Sequence, residues 1–454
     1  MKQIPAILIL LLVLTFVSIS RADDITAVQS GNWSDVNTWS TQTIPGATDD
    51  VDVPYGINVT VDTNATIQFI YDAGTITMGT NSSLELFDDQ AIGNETTLDA
   101  SAVGNTVIYS EQAHTAKATN YYNLVLDGVG TFYNASNVVN VAGDMTVAGT
   151  VSVQEANDIA IAGNLTVGST TNHNNVWDCS SYNLNVAGNT TINGYIADFD
   201  GANGANNFNH LTINSGGTLY ILDSTNWNVS GNFTNNNGTV SGKGYARVNF
   251  TGNGVIVGTP FTIPTLEVDG TYMIGATITL MTNTPTLNGT LVFDLANTNK
   301  MILESYPTNA LTFYYSGALN VINSGPAPTA GASYTFFSAT NFDGAFATEN
   351  FPALPSGLTW IDNLATSGSI AVSGGSGGSS PIITASQYNT STHQFTLTWS
   401  STPTALYSVQ ETPSLSAPIT WNTLVSNVPS AGSTTTTNVT MPLGTTGFLR
   451  VVQQ

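Results

Sequence analysis

One short phrase returns along the middle of the chain and decides what that chain can fold into. It reads Val141-Ala142-Gly143-Asp144-Met145-Thr146-Val147, then Ile161-Ala162-Gly163-Asn164-Leu165-Thr166-Val167, then Val186-Ala187-Gly188-Asn189-Thr190-Thr191-Ile192. Looser copies stand at Val229-Ser230-Gly231-Asn232-Phe233-Thr234-Asn235 and Phe250-Thr251-Gly252-Asn253-Gly254-Val255-Ile256. From head to head the steps are 20, 25, 43 and 21 residues, so the step of 43 reads as two turns with one copy eroded. A fixed period near twenty, rich in β-branched residues and punctuated by Gly-Asn, marks a β-solenoid. One repeat is too short to bury its own apolar face, so it stacks on its neighbours. Val141, Gly143, Met145 and Val147 share one parity and Ala142, Asp144 and Thr146 the other, as a half-buried strand requires. Gly is expected to permit a corner at positive φ, and the Asn or Asp after it to hydrogen-bond along the axis. At ~22 residues and ~4.8 Å per coil, residues 60 to 290 give about ten coils and a rod on the order of 50 Å.

A second phrase alternates with the first: Tyr122-Asn123-Leu124-Val125-Leu126, Tyr182-Asn183-Leu184-Asn185-Val186 and Phe208-Asn209-His210-Leu211-Thr212-Ile213, with Leu266-Glu267-Val268-Asp269-Gly270 a worn copy. The alternation assigns the two phrases to different sides of one coil. Short strands at 66–71, 74–78, 83–87 and 106–109, bounded by Gly, Asn or Asp, extend the pattern toward the N-terminus.

The first 22 residues read as an export signal. Lys2 supplies the positive region, Ile4 to Ile19 the apolar run, and Ser20-Arg21-Ala22 a small-residue cleavage site. No second apolar span follows, so the chain is expected to be secreted or at the cell surface, without a membrane span after cleavage. Removing Lys2 and Arg21 leaves five basic residues against thirty acidic ones and takes the formal charge from −23 to about −25. Such a surface repels nucleic acid and anionic membranes. With 41% apolar residues in strong patterns the chain is not disordered, and the single Cys179 leaves stability to stacking.

Three segments resemble known families. Gly31-Asn32-Trp33, Trp39, Ile44-Pro45-Gly46, the acidic run Asp49 to Pro54 and Gly56 to Asp62 resemble the extracellular domain named for its eight glycines, over about thirty residues. The likeness implies a cap in which two tryptophans close the first coil. Residues 120 to 373 are similar to bacterial extracellular proteins with the autotransporter-associated β-strand repeat. The closing order Ser316-Gly317-Ala318-Leu319, Tyr334-Thr335-Phe336-Phe337, Leu354-Pro355-Ser356-Gly357 and Gly368-Ser369-Ile370 is the most specific part. This implies a right-handed parallel β-helix with a C-terminal cap, here without the usual membrane-barrel translocator. Beyond the Gly/Ser linker 374–381, four strand-like runs headed by Phe395, Tyr407, Trp421 and Gly447 resemble a fibronectin type III-like sandwich.

The expected fold is therefore all-β: a parallel β-helix followed by a small β-sandwich. The divisions are signal 1–22, N-terminal cap 23–62, repeats 63–290, closing segment 291–373, linker 374–381 and sandwich 382–454.

Chemistry is sparse. The histidines His114, His173, His210 and His393 are scattered, and Cys179, with no His or Cys close in sequence, reads as a buried structural thiol. The only Gly-x-Ser-x-Gly match, at Ser376, falls in the linker. Asp198, Asp200 and Asn203 lie in a run like a calcium loop, with Ala202 where a ligand belongs, so calcium is the one cofactor considered. Asp49, Asp50 and Asp52 could also hold a cation, a solvated turn being the blander account. A polysaccharide lyase needs a base, and Lys243, Tyr245 and Arg247 alternate as if on one strand face; a hydrolase needs two carboxylates, for which Asp198 and Asp200 are nearest in sequence. Against an enzyme stands the strongly negative chain. The favoured reading is a structural or adhesin-like surface protein that contacts extracellular polysaccharide or matrix without catalysis, with Trp177, Trp227 or Tyr245 as sugar platforms, loops 172–177 and 201–207 as contact points, and self-assembly left open.

Overall fold

Short strands do most of the building, because alternation buries every second side chain, and where no break intervenes at a corner two sides run together, as in Ala205–Asn214. Ile159–Ile161 and Leu165–Val167 both bury their first and last residues and half-expose the middle one. Val139–Val141, Met145–Val147 and Thr150–Gln154 make the three sides of one coil, and Ile159–Ile161, Leu165–Val167 and Val176–Asp178 the three sides of the next. Each strand pairs in parallel with its counterpart one coil on, as Val141 with Ile161, Met145 with Leu165 and Val153 with Trp177.

The computed structural model describes residues 24–88, 91–111, 115–133, 139–155, 157–171, 173–179, 182–197, 204–222, 226–243, 247–281, 285–303, 312–373, 381–416, 419–440 and 447–454. The chain divides into two units, Met1–Leu354 with Trp360–Val372, and Pro355–Thr359 with Ser373–Gln454. The first is a parallel β-solenoid of about ten turns, close to the number the period predicts.

All five Gly-Asn/Asp phrases fall in register. Val141, Ile161, Val186, Phe208, Val229 and Phe250 stack in one interior column. The missing copy inside the step of 43 is Phe208-Asn209-His210, one residue shorter than Val186-Ala187-Gly188-Asn189, and the register shifts there. The hydrogen bonding along the axis is present. Asp144 Oδ1 accepts Asn164 N at 2.7 Å, Asn164 Oδ1 accepts Asn189 N at 2.9 Å, and in the eroded copy His210 Nδ1 accepts Asn232 N at 2.9 Å.

The glycine has a different reason from the one expected. Gly163 is not at positive φ; instead, a Cβ there would lie 2.3 Å from the carbonyl oxygen of Gly143 one coil away. Close approach of successive corners, and not a left-handed backbone, excludes a side chain.

The second phrase does not mark one side. Leu124 pairs with Met145 and Leu211 continues that column, whereas Leu184 pairs with Ile159 and Leu266 with Val248 on another side. An Asn flanked by an aromatic and a Leu suits any corner that enters a strand, so the resemblance between copies is local.

Stacking begins within residues 23–62, where Asn58–Val61 lies between Gly31–Asn32 and Thr75–Met78. Trp33 and Trp39 are buried at this end with ring centroids 4.9 Å apart, and Trp39 Nε1 donates to Trp33 O. Toward the other end Phe313, Tyr315, Phe337 and Phe346 interlock, and the pairing turns antiparallel between Ser333–Thr335 and Ser369–Ser373.

The second unit has two antiparallel three-stranded sheets, arranged like a β-sandwich. One is Ile383–Asn389, Gln394–Ser400 and Thr434–Thr440; the other is Asn422–Pro429, Leu406–Thr412 and Phe448–Gln453. Leu397, Trp399, Tyr407 and Val409 form a core of their own.

Candidate functional site

The first side of the coil has an outward column directly before the interior one. Register aligns Asn120, Asn140, Ala160, Asn185, Asn207, Asn228 and Asn249 on seven successive coils. Their amides form a ladder: Nδ2 of Asn207 donates to Oδ1 of Asn185 at 2.6 Å, Asn228 to Asn207 at 2.7 Å and Asn249 to Asn228 at 3.1 Å. Asn140 donates likewise to Asn120 at 3.0 Å. Ala160 interrupts the ladder where an amide would complete it.

Two residues along the same strands, Ala142, Ala162 and Ala187 lead a parallel column that continues as Asn209, Ser230 and Thr251. With Ala160 these methyl groups stand lower than the amides around them. The result is a trough of about 700 Å³ running across the coils. At ~4.8 Å per coil its six intervals extend about 29 Å.

The trough is electrically neutral. Its described lining contains no Lys, Arg, His, Asp, Glu or Cys. The one phenol, Tyr121, hydrogen-bonds to the Tyr109 hydroxyl at 3.0 Å and to Lys117 O, and burial followed by that neighbour pushes it well above its ordinary value. Charge lies beside the lining, with Arg247 two residues before Asn249 on its own strand. Glu267, on the next coil, accepts from Arg247 Nη1 at 2.5 Å and from Asn288 Nδ2 at 3.2 Å, and Asn288 also donates to Asp269.

The adjoining side presents a second ordered column, Thr146, Thr166, Thr191, Thr212 and Thr234, all half-buried.

Of the residues singled out from sequence, only some lie among the described residues. Lys243 lies just past the strand Thr239–Gly242 and Arg247 opens the next, Arg247–Phe250, which pair on different sides of the coil, so the expectation that they share one strand face is wrong. Arg247 is moreover engaged with Glu267. Tyr245, Asp198, Asp200 and Asn203 lie outside the described residues, as do His114 and Ser376.

Trp177 and Trp227, expected as exposed sugar platforms, are 0% and 1% exposed. They fall on the inward parity of their strands, where the solenoid needs large apolar side chains. Trp177 Nε1 donates to the buried Glu155 at 2.7 Å, and the Trp227 ring stacks on Phe208. Cys179 is buried.

The remaining described imidazoles serve the fold: His173 bonds Asn193 O, and His393 meets the Tyr388 hydroxyl. Asp50 has its carboxyl raised by burial first, then by Asp24, Asp88 and Asp49. Among the described residues no group of three or more His, Cys, Asp or Glu could hold a metal ion, and no helix is long and apolar enough to cross a membrane.

The asparagine column was readable and was missed. In every copy of the phrase, and in the eroded one, the residue just before the apolar head is Asn, with Ala160 the exception. The signal sits one residue upstream of the repeat that draws the eye. Compared with models of known families, with curated proteins and with solved structures, the chain has no match in any of the three.

Proposed function

We propose that the chain is a secreted or cell-surface adhesin-like protein whose solenoid contacts extracellular polysaccharide or matrix without chemical turnover. The observation that carries this reading is the trough: an ordered groove on the coil's outer surface is lined by amides and methyl groups, with nothing to donate, abstract or hold a proton at neutral pH. General acid–base chemistry on a glycan needs carboxylates or a base within hydrogen-bond reach of one linkage. Lys243 follows one strand and Arg247 opens another on a different side of the coil, and Arg247 is paired. A stack of nearest-neighbour coils suits display, since it holds a long surface in fixed register with no moving part. The apolar N-terminal run and the likeness of residues 120–373 to autotransporter-associated repeats support export and surface location.

The test is to incubate the purified full chain with a panel of polysaccharides, assaying retention and, in parallel, unsaturated or reducing-end product. Retention without product is expected. Product formation abolished by Lys243→Ala or Arg247→Ala would overturn the reading in favour of a lyase.

A further inference from the structure

We infer that the trough binds a neutral, unbranched polysaccharide laid along the solenoid axis, about one sugar unit to each coil; this rests on the carbohydrate-contacting reading and narrows it to a site and a ligand class.

Spacing is the first argument. Parallel strands repeat at ~4.8 Å, and the units of an extended β-linked glycan advance by nearly the same step, so each sugar falls close to one rung. Hydrogen-bonding capacity is the second. An asparagine amide has two N–H donors and two acceptor sites on its oxygen. In the ladder, Asn228 gives one N–H to Asn207 and accepts once from Asn249, which leaves one donor and one acceptor on a half-buried side chain. Asn185 accepts from Asn207 and has both N–H groups left over for a ligand. A sugar hydroxyl, itself donor and acceptor, satisfies such a pair; an aliphatic or aromatic ligand leaves it bare.

Shape is the third. Ala160, Ala162 and Ala187 lower the floor between the amides at Asn140 and Asn185, giving a methyl surface on which the C–H face of a pyranose rests while its hydroxyls reach the ladder. Charge decides between glycans. The lining has no cation to pair with a carboxylate or sulfate, and the chain carries a formal −23, so an anionic polysaccharide is repelled on approach. A polypeptide strand is a poorer occupant, because the trough lies on a sheet face whose backbone groups already pair with the coils on either side.

The experiment uses the full chain and isothermal titration with neutral β-glucan oligosaccharides of increasing length, and with polygalacturonate as the charged comparison. Affinity for the neutral series is expected to rise with length until the oligomer spans the trough, and to exceed that for polygalacturonate. Ala162→Trp, at an exposed outward position, fills the trough and is expected to weaken binding at least tenfold; Thr166→Trp on the adjoining side is expected to leave it within twofold. Thermal melting of both variants reports folding, and Ala187→Arg replaces Ala162→Trp if the latter melts early. Glycan binding that survives both trough substitutions, or a preference for polygalacturonate, overturns the trough assignment and leaves the adhesive reading standing. No binding of any polysaccharide by the native chain overturns both.

Discussion

Asn206 is the residue whose replacement tests the solenoid most directly. It occupies an inward position in Ala205–Asn214, opposite Trp227 on one neighbouring coil and, one residue before the Asn185–Asn207 pair, above Leu184 on the other. It is 0% exposed, and neither its amide nitrogen nor its amide oxygen has a hydrogen-bond partner. A buried polar group without a partner costs about 1–3 kcal/mol, and Leu has nearly the same volume without that cost. The column also shows that Leu fits, because Leu184 fills the same place one coil earlier. Asn206→Leu is therefore expected to stabilise the adjacent coils by about 2 kcal/mol, which slows local opening roughly thirtyfold.

Amide hydrogen exchange read by mass spectrometry on peptides covering 184–229 is the suitable assay. Stacked coils open locally, and a single melting temperature for a chain of two units is poorly defined. Leu184→Asn is the reverse control and is expected to speed exchange in the same peptides. Faster exchange in Asn206→Leu would refute the reasoning, since it would mean that the amide has a partner worth more than its burial costs.

Gly163→Ala places a methyl group against the Gly143 carbonyl and is expected to cost about 1–3 kcal/mol, seen as a lower denaturant midpoint for the solenoid; an unchanged midpoint would remove close approach as the reason for the glycine. Trp177→Phe takes the indole donor from Glu155 inside the core and is expected to destabilise by about 1–3 kcal/mol, measured the same way. Asp50 and Asp294 are expected to answer acid in opposite senses. Asp50, its folded pKa raised by burial and by neighbouring carboxylates, contributes stability below its unfolded pKa and loses it as pH climbs through the folded one, so Asp50→Asn is expected to stabilise the N-terminal coils at pH 7. Asp294 is the converse: burial raises its carboxyl, but the hydroxyl and N–H of Ser324 and the N–H of Ala296 outweigh this and lower it, so its contribution is lost as pH falls. Limited proteolysis at pH 7 and near pH 4, with the cleavage sites mapped, distinguishes the two.

The coil, its repeat length and the stacking register were legible because period-two burial and a twenty-residue recurrence are printed directly in Val141–Val147 and its copies. The sides were harder. Tyr122-Asn123-Leu124 and Tyr182-Asn183-Leu184 read alike, yet one enters the second side and the other the first, because the corner before them differs in length and only register fixes which. Inward or outward parity of Trp177 and Trp227 was equally hidden: in Val176–Asp178 the tryptophan is the middle residue, and nothing local says that the middle faces in. Lys243 and Arg247 show the same limit, since their alternation looks like one strand until register assigns Thr239–Gly242 and Arg247–Phe250 to different sides. The trough escaped because it is made of residues usually passed over, asparagine and alanine, whose meaning comes only from alignment seven coils deep.

Each rung of that column hands its amide hydrogen to the oxygen of the rung before it, from Asn249 to Asn228 to Asn207 to Asn185, and again from Asn140 to Asn120. The amide dipoles therefore all point the same way, and the surface has a head and a tail. A chain whose two ends differ, as those of a glycan do, meets this surface in two inequivalent orientations, and the solenoid sorts one from the other without any pocket at either terminus.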